Sequence, residues 1–132
     1  MAKVIKAPKG YSYDPYSKFI LLAGQFPEKL INEFSGIENL YFLDPTNSTL
    51  EWKLTAQSRV DLILFFFKDG DNVSTFLELG VATGMTDSII VLCQPTFAQL
   101  DILKSVCERY NIPIHFQYND MVDNIKKEID II

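Results

Sequence analysis

The 132-residue chain has one histidine, one tryptophan and two cysteines, and no apolar run long enough to cross a bilayer. Each scarcity removes a class of protein. Cys93 and Cys107 are isolated, apolar in setting and without histidine neighbours, so neither a zinc cluster nor a disulfide framework can be drawn. Both are expected as reduced core residues of a cytoplasmic protein. The single histidine, His115, falls inside an expected strand, and packing or an edge position suits it better than proton transfer. The opening Met1-Ala2-Lys3-Val4-Ile5-Lys6 lacks the apolar core of a signal peptide. Lys and Arg number 12 against 17 Asp and Glu, a net charge of −5, and the lysines are scattered. Without a basic stripe to release counterions, a nucleic-acid partner is not expected. A P-loop, a GxSxG elbow, an internal repeat, a low-complexity tract and a linker are also missing. The chain therefore reads as one domain, 1–132.

What is present is alternation. Residues 1–18 form an extended leader with Pro8, Gly10 and Pro15, and its Tyr11, Tyr13 and Tyr16 suit packing on the body. Buried strands are expected at Phe19–Gly24, Leu40–Leu43, Val60–Phe67, Ser88–Cys93 and Ile114–Tyr118. Between and after them, helices are expected from Pro27 to Gly36, at Thr49–Ser58, Ser74–Thr83, Phe97–Tyr110 and Met121–Ile132. Val60 to Phe67 is continuously apolar but for Asp61, as a strand buried on both faces must be. Strand–helix alternation at this spacing implies right-handed crossovers and a parallel sheet. The expected fold is α/β, a flavodoxin-like domain of five parallel strands in the order 2-1-3-4-5 with helices on both faces.

Ligands of open α/β sheets bind beyond the carboxyl ends of the strands. The turn Gly24-Gln25-Phe26-Pro27-Glu28 is not a flavin phosphate loop, and Asp61 stands at the wrong end of its strand for a phosphoacceptor. Attention falls instead on Glu78, expected in the first turn of the helix that follows Val60–Phe67. Val73, Phe76, Leu77, Gly80 and Val81 are expected on that helix's apolar side, with Gly84 as its stop. Thr75-Phe76-Leu77-Glu78 also reads as a capping box, in which Glu78 serves the Thr75 backbone N–H and nothing more. Proximity to the helix N-terminus would favour the ionised form of Glu78.

Several segments together resemble the nucleoside 2-deoxyribosyltransferase-like family, in its short-chain branch. They are LLAGQF at 21–26, Trp52, Val60-Asp61 followed by LILFFF, then Leu77-Glu78-Leu79-Gly80, IIVLC, Phe97, and Cys107 within VCERY. The resemblance implies that Glu78 is a nucleophile that cleaves or exchanges the N-glycosidic bond of a (deoxy)nucleoside or nucleotide by a retaining double displacement. Neither cofactor nor metal is implied. Asp71 is the first choice for the acid that protonates the leaving base, and Asp69 the second. Gly24, Gln25 and Phe26 would border the sugar and base, Trp52 and Phe66 would wall the base, and Ser74 would hydrogen-bond the sugar. A homo-oligomer is implied too, since family members complete each pocket from a neighbouring subunit. Gln99 and Ile102 stand where that branch carries a basic residue and an asparagine, which favours a neutral nucleoside over a phosphate ester. The alternatives are a non-catalytic nucleoside- or nucleotide-binding module on the same fold, and an assembly protein in which Glu78 is a covered cap.

Overall fold

The structure, a computed structural model, describes residues 3–7, 15–24, 26–46, 48–70 and 73–131. The elements follow in the order β1 (Lys3–Lys6), β2 (Lys18–Ala23), α1 (Lys29–Asn32), β3 (Leu40–Asp44), α2 (Leu50–Gln57), β4 (Leu62–Phe67), α3 (Val73–Thr83), β5 (Ile89–Cys93), α4 (Leu100–Arg109), β6 (Ile114–His115) and α5 (Tyr118–Ile131). Among the described residues the six strands pair in parallel in one sheet, ordered β1-β3-β2-β4-β5-β6. The expectation of five strands ordered 2-1-3-4-5 is thus corrected. The leader contributes a strand of its own, with Lys3 opposite Tyr41 and Lys6 opposite Asp44, and it covers the β3 edge that would otherwise be open. Its neighbours Lys3 and Lys6 are charged, which is why Lys3–Lys6 does not read as a buried strand. The strand expected at Ile114–Tyr118 is shorter, because α5 begins at Tyr118.

Alternation along β4 divides the core in two. Ile63, Phe65 and Phe67 face a cluster that includes Ala56 of α2, Leu79 and Ala82 of α3, and Leu103 and Cys107 of α4. Leu62 and Leu64 face the other cluster, with Leu30 and Phe34 near α1 and Met121, Ile125 and Ile129 of α5. Helices therefore cover both faces, which explains a strand without polar alternation. Phe67 lies 4.8 Å from Phe76 and 5.6 Å from Phe97 between ring centroids. Such pairs contribute about 0.5–1.5 kcal/mol each beyond burial, and here they pin α3 over the end of β4.

Cys93 and Cys107 are buried and free, and burial pushes both thiols up to about 11. His115 Nε2 lies 2.8 Å from Asn124 Oδ1 on the short edge strand β6. Asp61 works at the amino end of β4, where its Oδ2 accepts from the Phe19 N–H at 2.8 Å. Among the described residues no helix is long and apolar enough to cross a membrane.

Candidate functional site

The fold sets Glu78 in the wall of a cavity of about 280 Å³ at the carboxyl edge of the sheet. Ala23 and Gly24 end β2 there, Pro45, Thr46 and Ser48 come from the loop after β3, Lys53 comes from α2, and Ser74, Thr75 and Glu78 come from α3. Helix α3 begins at Val73, which makes Glu78 its sixth residue, in the second turn, not the first. Thr75 lies inside the helix, so the expected capping box does not form. Glu78 Oε2 instead accepts from Ser74 Oγ at 3.3 Å and lies 3.7 Å from Lys53 Nζ.

The facing of α3 also differs from the apolar pattern. Val73 and Leu77 are exposed, at 76% and 52%, whereas Glu78 is only 4% exposed beside the buried Leu79 and Ala82. Glu78, Leu79 and Ala82 recur at i, i+1 and i+4, which is one helical face. A carboxylate occupies an inward position, and apolar residues occupy outward ones. Burying a charge is costly unless something compensates. Burial accordingly raises the Glu78 pKa above the ordinary 4.5, while the Lys53 charge and the Ser74 hydrogen bond pull it down. Removed from the first turn, Glu78 owes its charge state to burial and Lys53 more than to the helix N-terminus.

Gly24 is shaped by close approach. Its φ is +132°, and a Cβ there would stand 2.9 Å from the Phe66 carbonyl oxygen. Glycine lets the end of β2 run against β4 and form the cavity rim. Phe26 and Phe66 come together, with ring centroids 5.6 Å apart. They lie outside the Glu78 cavity: Phe26 lines an adjoining space of about 190 Å³ that shares Gly24 and Thr46 with it. Phe66 lines an apolar space of about 210 Å³ with Pro27, Phe116 and Tyr118. Trp52 is partly buried against the core, and its backbone N–H is capped by Thr49 Oγ1 at 3.1 Å. Asp69 is exposed, its backbone N–H donating to Gln94 Oε1 at 3.2 Å, and it is not among the cavity-lining residues. Asp71 and Gln25 lie outside the described residues.

Sequence reasoning missed Thr46, Ser48, Lys53 and Gln57. Gln57 is buried, and its Nε2 donates to the Glu78 main-chain oxygen at 2.9 Å. Ser48 Oγ is buried in the cavity wall without a hydrogen-bond partner among the described residues. The available signal was the i, i+4 pair Lys53 and Gln57 on a helix already singled out for Trp52. No family model matches the chain, and no curated protein matches it.

Proposed function

We propose that the protein is a nucleoside 2-deoxyribosyltransferase-like enzyme, acting on the N-glycosidic bond of a (deoxy)nucleoside on a flavodoxin-like fold, with Glu78 as nucleophile. One observation carries the reading: a nearly buried carboxylate in a hydroxyl-lined cavity at the carboxyl edge of a parallel sheet. Thr46, Ser48, Ser74 and Thr75 supply hydroxyls suited to a sugar. The apolar space lined by Pro27, Phe66, Phe116 and Tyr118 suits a planar base.

In the first displacement a Glu78 oxygen bonds to the anomeric carbon. The C–N bond breaks, its electron pair leaves with the base, and an acid supplies the base's proton. Asp71 remains the first choice for that acid. In the second displacement another base nitrogen, or water, bonds to the anomeric carbon and gives its proton to the conjugate base of that acid, and the ester electron pair returns to Glu78. Neither step needs a cofactor. Burial makes Glu78 a stronger base than an exposed carboxylate, while the Lys53 charge favours its ionised form, a combination that suits a nucleophile. We also place a homo-oligomer within this proposal, since α3 turns Val73 and Leu77 outward beside the cavity.

A binding module is the second reading. It is favoured by the absence of a second carboxylate among the described residues that line the Glu78 cavity. Incubation with a panel of nucleosides and deoxynucleotides, with and without an acceptor base, separates the two. Free base or exchanged nucleoside is expected from the wild-type protein and not from Glu78→Gln. Saturable nucleoside binding with no product from any substrate would replace the enzyme reading by the binding one.

A further inference from the structure

Glu78 is met by side chains from a neighbouring helix. Helix α2 sends two side chains, four residues apart and so on one face, to the same residue of α3. Lys53 Nζ approaches the carboxylate at 3.7 Å, and Gln57 Nε2 holds the main-chain oxygen at 2.9 Å. Gln57 is 2% exposed, so it ties residue 78 to α2 from within the core. From α3 itself Ser74 Oγ donates to the carboxylate. The end of β2 and the loop after β3 face it with Ala23, Gly24, Pro45, Thr46 and Ser48, none of which carries a charge. Among the described residues lining the cavity, Lys53 is thus the one cation that answers the carboxylate.

We infer that Lys53 is a positioning residue for Glu78, holding its carboxylate ionised and oriented at the cavity wall. This inference rests on the nucleophile reading and goes beyond it. On that reading Glu78 is an anion before attack, a neutral ester in the intermediate, and an anion again after release. The ester bond breaks with its electron pair returning to the Glu78 oxygen, and Lys53 meets the charge that reappears there. An opposite charge at this distance favours the ionised form, so the pair aids both the readiness of Glu78 and its departure from the sugar. Gln57 keeps α2 and α3 in the register that this contact needs.

The test is carboxyl carbon NMR on protein labelled at the glutamate side chains, with Glu78→Gln used to assign the Glu78 signal. Wild type, Lys53→Met, Lys53→Gln and Lys53→Arg are titrated side by side. The Glu78 midpoint is expected to move to higher pH in the Met and Gln variants and to return toward wild type in Arg. The Lys53 side chain is 24% exposed, so both neutral variants are expected to fold, and either one suffices for the comparison. An unchanged midpoint in the folded neutral variants would overturn the inference. This readout needs no turnover, so it stands apart from the nucleoside assay, whose failure would remove the nucleophile reading and leave the midpoint shift in place. Where turnover is measured, the acid limb of kcat/KM should move up with the NMR midpoint while KM holds. A change in KM alone would make Lys53 a substrate contact instead.

Discussion

Glu78→Gln tests stability and chemistry in one variant. Burial raises the folded-state pKa of Glu78 above 4.5, so the folded chain binds this proton more readily than the unfolded chain does. The associated stability is fully present below the unfolded pKa and is lost as pH rises through the folded one. At neutral pH the wild type holds a charge that its own burial disfavours. Glutamine keeps the volume and an acceptor for Ser74 Oγ, and it removes that cost. The loss is the contact with Lys53, whose side chain is 24% exposed and can turn to water. A partly exposed pair of this kind is worth roughly 0.5 kcal/mol. The variant is therefore expected to be more stable at pH 7 by about 1 kcal/mol, the usual relief when a functional charge is removed. That corresponds to about 3 °C in Tm for a chain of this size. The advantage should shrink as pH falls through the raised folded-state pKa, where wild-type Glu78 takes up its proton. Turnover should fall about a thousandfold or more. Urea denaturation at pH 4 and pH 7 checks the first part and free-base release checks the second. A variant less stable at pH 7 by more than about 2 kcal/mol, with an unchanged denaturant slope, would show that Glu78 is structural and refute the reasoning.

Gly24→Ala should cost about 1–3 kcal/mol, because it combines a strained φ with a clash against Phe66, and the lost packing of Phe26 on Phe66 should appear in the near-ultraviolet circular dichroism. A wild-type melting temperature in that variant would mean that the β2 end is not so constrained. In paired titrations a nucleoside should bind roughly fivefold to tenfold more tightly than its 5′-monophosphate, since Lys53 is already matched by Glu78 and Gln99 and Ile102 bring no charge. A monophosphate that binds more tightly, and loses that advantage as salt rises, would reverse this and make Lys68, which follows β4 with its Nζ 5.9 Å from the Phe66 ring centroid, the residue to change next. Light scattering at micromolar concentration should report a mass above 15.1 kDa, and a strict monomer would count against pockets completed by a neighbouring copy.

The strands and helices of the body were legible because their burial is written in local pattern. Leu62–Phe67 and Ile89–Cys93 are continuous apolar runs bounded by polar turns, and only a sheet covered on both faces buries such runs. Thr49, expected to open its helix, caps the Trp52 N–H within one turn of chain. Glu78 itself was legible as a carboxylate just beyond a central strand. Its environment was not. The apolar residues of α3 suggested that Val73 and Leu77 face inward, but packing of Phe76 on Phe67 and Phe97 turns Glu78 and Leu79 inward instead. The charged ends of Lys3–Lys6 hid an edge strand, because edge strands need no two-sided apolar run. The contacts of Lys53 and Gln57 with Glu78 span more than twenty residues of chain, and no local pattern encodes a distance across two helices. By itself the sequence determined which segments become strands and helices, since hydrophobic periodicity and turn chemistry act over a few residues. Only the tertiary structure decided which face of α3 meets the sheet and which cation meets its carboxylate, because both depend on how separate elements dock.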